Sequence, residues 1–233
     1  VVYVMSDIHG NEARFRDMLK QIKFSEKDTL YILGDVVDRG DGGIRILRYI
    51  MKTPNIKMLL GNHELMMLNV LYYPIDDVDK FSKNFKSFAR LNNWYSNGGA
   101  VTHNSIKHTR KEVRKEIFEY LDSLPLNIEV TVNDKNYILV HAGITDNYID
   151  RLSKYDSVKQ YAVWTRDSET ASVPEGKTMI FGHTPTWQYQ DDEIMKICKW
   201  DDRIGIDCGC AYGDIGRLSC LRLDDMEEFY SGV

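Results

Sequence analysis

Ile32-Leu33-Gly34-Asp35-Val36-Val37-Asp38-Arg39-Gly40 is the stretch on which the fold turns. An apolar run, Leu30 to Leu33, halts at a glycine; two aspartates three residues apart, an arginine and a second glycine follow. A short apolar run bounded by glycine reads as a buried strand that ends in a tight, charged loop. In open α/β sheets, ligands bind beyond the carboxyl ends of such strands. The same layout recurs on either side. Val1 to Met5 ends at Ser6-Asp7-Ile8-His9-Gly10-Asn11, and Ile56 to Leu60 ends at Gly61-Asn62-His63-Glu64. Between them, Phe15, Met18, Leu19 and Ile22 recur at helical spacing, as do Ile44, Leu47 and Ile50. Three strand–loop–helix units in succession imply parallel strands with right-handed crossovers, which puts three polar loops along one edge of one sheet.

The 233 residues fit one domain over 1–233 with a substantial core. A net charge of -5 gives no overall footprint for nucleic acid. No apolar run is long enough to span a bilayer, so neither nucleic acid nor membrane is expected as a partner. Val1 leads straight into a strand, and no signal peptide is expected. Cys198, Cys208, Cys210 and Cys220 lack the spacing of a zinc knuckle or a redox pair, so free thiols in a reducing cytoplasm are the expectation.

From Leu65 to about Ser123 the strand pattern gives way to a mostly helical segment. It carries Phe81, Phe85 and Phe88 and an irregular stretch from Asn92 to Gly99, and is expected to form a helical cap insertion of about 65–123 beside the loop edge. Its histidines, His103 and His108, read as surface or core residues rather than ligands. Leu126 to Val132 and Tyr137 to Val140 read as a hairpin across Asn133-Asp134, the second strand ending at His141-Ala142-Gly143. Thr178 to Phe181 is a further strand and ends at Gly182-His183-Thr184-Pro185. The C-terminal remainder, from Glu193 to Val233, includes Arg203 to Asp207 and Leu218 to Leu223. It reads as short strands that are expected to build a second, mixed or antiparallel sheet packed on the first.

Four of the six histidines, His9, His63, His141 and His183, stand just after expected strands. With Asp7, Asp35, Asp38 and Asn62 they make a cluster of nitrogen and oxygen donors at one sheet edge. An extended backbone through Ile8 would turn Asp7 and His9 to one side, as two ligands of one ion require; the plainer reading is a polar loop with a helix N-cap. No cysteine joins the cluster, unlike a structural zinc site. Mixed imidazole, carboxylate and amide donors suit manganese, iron or zinc. Read singly, Asp38-Arg39 could be a surface ion pair and Arg166 a helix-end cap. Glu64 could belong to the site but reads rather as a residue that orients its neighbours; Asp207 could be a site residue or a strand-end turn, and the turn is favoured.

Taken together, Asp7-x-His9, Gly34-Asp35-x-x-Asp38-Arg39-Gly40, Gly61-Asn62-His63-Glu64, His141-Ala142-Gly143 and Gly182-His183-Thr184 resemble, in order and spacing, the metal-dependent phosphoprotein phosphatases and their relatives with the calcineurin-like metallophosphoesterase fold. Trp94 with Asn97-Gly98-Gly99, Leu124-Pro125-Leu126, Trp164-x-Arg166 and Ile206-Asp207-Cys208-Gly209 are similar to the small bacterial and bacteriophage lambda-type branch. The resemblance implies an α/β fold of two mixed β-sheets packed as a sandwich and flanked by helices, a four-layer αββα arrangement. It implies two divalent metal ions, manganese first and iron or zinc as alternatives. Asp7 and His9 would bind the first, Asn62, His141 and His183 the second, and Asp35 would bridge them. A hydroxide held between the two would attack phosphorus. His63, oriented by Asp38, would protonate the leaving oxygen. Arg39 and Arg166 would clamp the phosphate, with Asn62 also in reach of it.

The implied activity is phosphomonoester hydrolysis by a serine/threonine-type protein phosphatase, on a phosphorylated protein or a small phosphoester. The alternative is symmetrical hydrolysis of dinucleoside tetraphosphates, since that family shares the same motifs. A nucleotide would want an aromatic shelf, for which Tyr72, Tyr73, Trp94 and Tyr95 are candidates, and a basic groove. Lys80, Lys83 and Lys86 are offset by Asp76, Asp77 and Asp79, while the run from Lys107 to Lys115 is broken only by Glu112. The acidic chain as a whole leans towards monoesters. No counterpart of the regulatory-subunit docking surface of the eukaryotic relatives is found, so no obligatory regulatory subunit is expected.

Overall fold

The computed structural model describes residues 1–75, 80–191 and 195–232; Asp76, Asp77, Asp79, Glu193, Val233 and the side chains of Lys80 and Phe81 lie outside this set. Among the described residues, ten strands form two five-stranded sheets. The first contains β1 (Val2–Met5), β2 (Thr29–Ile32), β3 (Ile56–Met58), β9 (Leu218–Arg222) and β10 (Glu228–Ser231), in the order β10-β9-β1-β2-β3. The strands β1, β2 and β3 are parallel, as three strand–loop–helix units require. The second contains β4 (Asn127–Val132), β5 (Lys135–Val140), β6 (Lys177–Phe181), β7 (Cys198–Lys199) and β8 (Arg203–Gly205), in the order β4-β5-β6-β8-β7. It is mixed: β5, β6 and β8 run parallel, and β4 and β7 close its edges antiparallel.

One expectation is corrected. Leu218 to Leu223 does not join the second sheet: β9 pairs antiparallel with β1, with Val4 opposite Leu221, and β10 continues outward from it. The chain returns to the first sheet because the free edge of β1 would otherwise bury unpaired backbone groups in the core.

Side-chain alternation decides the layers. In β1, Tyr3 and Met5 pack with the helices while Val4 faces the second sheet; in β2, Leu30 and Ile32 do the former, and Tyr31, with Leu33 just beyond the strand, the latter. Strands apolar on both sides are buried on both sides. The helical side holds α1 (Glu12–Gln21), which buries Phe15 and Met18, and α2 (Gly43–Ile50), which buries Ile44, Leu47 and Ile50. Between the sheets, Val4, Tyr31 and Leu33 meet Leu139, Ile180 and Ile204. The outer face of the second sheet, Ile138, Val140, Met179 and Phe181, is covered by Val173, Tyr189 and Trp200.

The β4–β5 hairpin turns at Asn133 (φ 50°) and Asp134 (φ 61°), the left-handed pair that a tight two-residue turn demands. Between β3 and β4 the described residues include α3 (Asn62–Leu71), α4 (Lys80–Ser96), α5 (Ala100–Lys107) and α6 (Lys111–Asp122). Residues Asn62 to Leu68 of α3 are all buried, so its first two turns are core. A last helix, α7 (Val158–Trp164), precedes Arg166. Among the described residues no helix is long and apolar enough to cross a membrane, and the four cysteines form no disulfide.

Candidate active site

Six loops converge where the two sheets meet, each leaving the carboxyl end of a strand. Asp7 and His9 follow β1, Asp35 to Arg39 follow β2, and Asn62 to Glu64 follow β3; His141 follows β5, His183 follows β6, and Asp207 follows β8. Asp7, His9, Asp35, Asp38, Asn62, His63, Glu64, His141, His183 and Asp207 are all buried. Their loops are tied across: His9 N–H donates to Asp35 O (2.9 Å), Gly10 N–H to Val36 O (2.7 Å), and His183 N–H to the Asp7 carboxylate (3.0 Å).

The backbone here is strained. Asp7 (φ 52°), His9 (47°), Asp35 (54°), Asp38 (71°), Arg39 (66°) and His183 (63°) all lie in the left-handed region. L-residues enter it at a cost of about 1 kcal/mol or more each, and persist there only when the surroundings dictate it. The extended backbone expected at Asp7-Ile8-His9 is therefore corrected, although the two side chains still meet, with Asp7 Oδ1 3.9 Å from His9 Nε2. The plainer reading holds as well: Asn11 caps α1, its side chain accepting from Arg14 N–H.

Glu64 dictates the second loop. Its carboxylate accepts from the backbone N–H groups of Asp35 (2.8 Å), Val36 (2.8 Å), Val37 (3.2 Å) and Gly61 (3.2 Å). Burial pushes its carboxyl up to about 7, against the pull of these donors. Position 61 has no room for a side chain, since a Cβ there would lie 2.3 Å from Asp35 Oδ1.

Hydrogen bonds behind the histidines fix which nitrogen faces the centre. A carbonyl only accepts, so His9 Nδ1 must donate to Val37 O (3.2 Å) and His141 Nδ1 to Leu33 O (2.8 Å). Burial, the largest cause in each case, lowers the pKa of His9, His63, His141 and His183, so these rings are neutral. The Nε2 atoms of His9 and His141 then present lone pairs inward, as metal-ligating imidazoles do. The Nε2 of His141 lies 2.9 Å from Asn62 Oδ1 with no proton left to share, and Asn62 Oδ1 is also 2.9 Å from His183 Nδ1. A cation between the lone pairs would resolve that contact, so the donor set fits a metal ion.

Asp35 stands at the centre. Its Oδ1 is 3.5 Å from His141 Nε2, and its Oδ2 is 3.9 Å from His9 Nε2 and 3.8 Å from His63 Nε2. Two clusters able to hold an ion result, His9 with Asp35 and His63, and Asp35 with His141 and His183. Burial, followed by the charges of Asp7 and Glu64, raises the Asp35 pKa, a penalty that a cation would remove. His63 belongs to the first cluster by distance, but its Nδ1 is 2.7 Å from Asp38 Oδ2, and burial pushes the Asp38 carboxyl up to about 7.

Arg39 and Arg166 face the same cleft as Asn62, His63 and His183. Arg39 Nη2 is 3.5 Å from His63 Nε2, and Arg166 Nη1 donates to Thr184 Oγ1 (3.3 Å). Asp207 makes the favoured turn, accepting from Gly209 N–H (2.9 Å), and it also lines the cleft, as the alternative reading of it had it. Asn97 and Tyr212 line it too and were not singled out as site residues. Trp94 is no stacking shelf: it is fully buried, and its Nε1–H donates to Asp38 Oδ2 at 2.8 Å. The only hint in the sequence was its place in the Trp94, Asn97-Gly98-Gly99 motif.

The sequence matches the family model for calcineurin-like phosphoesterases over residues 1–214. Serine/threonine-protein phosphatase 2 of Salmonella typhimurium is 30% identical over 78% of this chain and 78% of its own length. A symmetrical bis(5'-nucleosyl)-tetraphosphatase of Buchnera aphidicola is 26% identical over 98% of this chain and 96% of its own. Among solved structures, a cold-active protein-tyrosine phosphatase from a psychrophilic Shewanella shares the fold, with a TM-score of 0.57, 18% identity, and coverage of 99% of this chain and 80% of that one.

Proposed function

The chain belongs to the calcineurin-like phosphoesterase family, and from that premise we propose that it is a metal-dependent phosphomonoesterase of the serine/threonine protein phosphatase kind. The observation that carries the reading is the carboxylate of Asp35, which is common to two clusters of inward-facing donors. Asp7 and His9 would hold one divalent cation and Asn62, His141 and His183 the other, with Asp35 between them. Manganese is the first candidate, and iron or zinc the alternatives. Such a pair supplies an activated water and neutralises phosphate charge.

The remaining residues divide the work on the substrate. Arg39 and Arg166 grip the non-bridging phosphate oxygens, for which a planar guanidinium is suited, and Asn62 offers its amide to the same group. A phosphate seated there places negative charge against His63 and favours its protonated form. His63 then gives the Nε2 proton to the leaving oxygen, while Asp38 on Nδ1 holds the ring and stabilises its charge.

Two features favour a monoester over a polyphosphate. The arginines of the depression beside His9 and Arg39 are already engaged: Arg14 donates to the carbonyls of Cys210 (2.8 Å) and Gly216 (2.7 Å), and Arg16 and Arg45 pair with Glu12. The aromatic shelf is also reduced, since Trp94 is buried and Tyr95 OH is tied to His103 (2.7 Å). The second reading, symmetrical hydrolysis of dinucleoside tetraphosphates, is favoured by the near full-length likeness to the Buchnera enzyme.

The test strips the protein with chelator, restores manganese, and times phosphate release from a phosphothreonine peptide beside turnover of diadenosine tetraphosphate. Metal-dependent release from the peptide with little turnover of the dinucleotide is the expected result. The reverse preference would move the chain to the nucleotide reading, and turnover of neither would overturn both.

A further inference from the structure

The acid proposed for the leaving group, His63, is not held by its own loops alone. Asp38 Oδ2 accepts twice, from His63 Nδ1–H (2.7 Å) and from Trp94 Nε1–H (2.8 Å). Its other oxygen, Oδ1, is buried with no partner among the described residues. An indole N–H can only donate, so it holds the carboxylate oxygen by a lone pair and has no alternative state. A half-turn of the carboxylate only exchanges two equivalent oxygens, whereas any partial rotation draws the accepting oxygen away from the indole N–H and loses that bond. The Trp94 bond therefore fixes the rotation of the carboxylate, and through it the plane of the imidazole.

Trp94 arrives from the helical segment between β3 and β4, and that segment is built around the contact. Gly99 packs against the indole so closely that a Cβ would lie 2.4 Å from it. The carbonyl of Gly98 accepts from Arg39 N–H (3.1 Å), and Thr102 Oγ1 accepts from Asp38 N–H (2.9 Å). The end of α4, the turn at Gly98 and the start of α5 thus grip the backbone of both Asp38 and Arg39, two residues in the left-handed region, as well as the Asp38 side chain.

We propose that Trp94 is a positioning residue for the leaving-group acid, its indole N–H aiming His63 through Asp38, so that this helical turn assembles the acid. The assignment rests on the reading of His63 given above. A group of this kind matters where the leaving oxygen needs a proton. It is nearly irrelevant where the leaving group departs as a stable anion.

The experiment uses the manganese-loaded full chain and two substrates, a phosphothreonine peptide with a poor alkoxide leaving group and p-nitrophenyl phosphate with a good one. Trp94→Phe removes the N–H and keeps most of the bulk. β-(3-Benzothienyl)alanine at position 94 replaces the N–H by sulfur without changing the shape, and decides the matter if the phenylalanine variant does not fold. Kcat on the peptide is expected to fall roughly tenfold, a part of the 10²–10⁴ a general acid contributes, with kcat on p-nitrophenyl phosphate within about twofold and both KM values unchanged. In histidine-labelled protein loaded with diamagnetic zinc instead of manganese, the His63 Nδ1 proton resonance should broaden or move upfield. Equal losses on both substrates, or an unmoved resonance, overturn the assignment. His63→Ala runs in parallel: if it shows the split between substrates and the isostere does not, the inference about Trp94 alone fails. If His63→Ala shows no split, the acid reading fails with it.

Discussion

Glu64→Gln isolates one residue on which the second loop depends. Each carboxylate oxygen of Glu64 accepts two backbone N–H groups, Oε2 from Asp35 (2.8 Å) and Gly61 (3.2 Å), Oε1 from Val36 (2.8 Å) and Val37 (3.2 Å). Glutamine keeps one acceptor oxygen and replaces the other by an amide nitrogen with no lone pair to offer. Whichever way the amide turns, two buried N–H groups lose their partner and face another donor. At about 1–3 kcal/mol for each orphaned group, the loss is about 2–6 kcal/mol, a large share of a domain's total stability. The assay is urea unfolding of the metal-free chain at pH 8, above the value of about 7 to which burial raises the Glu64 carboxyl, so that the reference is the ionised form. Metal retention after dialysis should fall as well, because the strained Asp35 loop is no longer held. A stability loss under about 1 kcal/mol would show that the loop does not depend on these bonds and would refute the reasoning.

Three further outcomes follow from the same geometry. His63→Ala should keep both metal ions while losing about 10²–10⁴ in turnover of alkyl phosphate esters, read by elemental analysis beside kinetics; lost metal would make His63 a ligand instead. Arg166→Ala should raise KM for the phosphopeptide and lower kcat together, since of the two proposed guanidinium clamps only Arg39 is then left; unchanged kinetics would remove Arg166 from the site. Burial sets the Asp38 carboxyl at about 7 instead of 3.8, so the folded chain binds that proton more tightly than the unfolded one. Its contribution to stability is whole below about pH 4 and is lost as pH rises through about 7, with a steepest slope near 1.4 kcal/mol per pH unit. In the metal-free chain, the unfolding free energy of wild type minus that of Asp38→Asn should decline across that window, and a flat difference would contradict the assigned burial.

Much of this site was legible because its parts are local. A strand that stops at Gly34, Gly61 or Gly182 and releases an aspartate or histidine announces both the strand and the loop, and parallel order along the sheet then brings the loops together. What stayed hidden is what depends on contacts between distant segments. Nothing in Leu218 to Arg222 says that its partner is β1 and not a neighbour in sequence. The left-handed backbone at Asp7 and His9 cannot be read from residue types, since here no tight local turn demands it and the surrounding loops impose it. Trp94 counts among the shelf candidates by residue type alone. Its burial follows from Asp38 and Gly99, one of them far along the chain. Asp207 makes its turn and lines the cleft as well, so the local pattern offered both readings without showing that they hold together.

The claim on which everything else rests is that Asp35 is shared between two cation positions. The most direct measurement is anomalous diffraction from crystals of the chain loaded with manganese. The account predicts two peaks about 3.5–4 Å apart on either side of the Asp35 carboxylate, one against Asp7 and His9, the other against Asn62, His141 and His183. A single peak, or a peak bound by His63 in place of its pairing with Asp38, would contradict it.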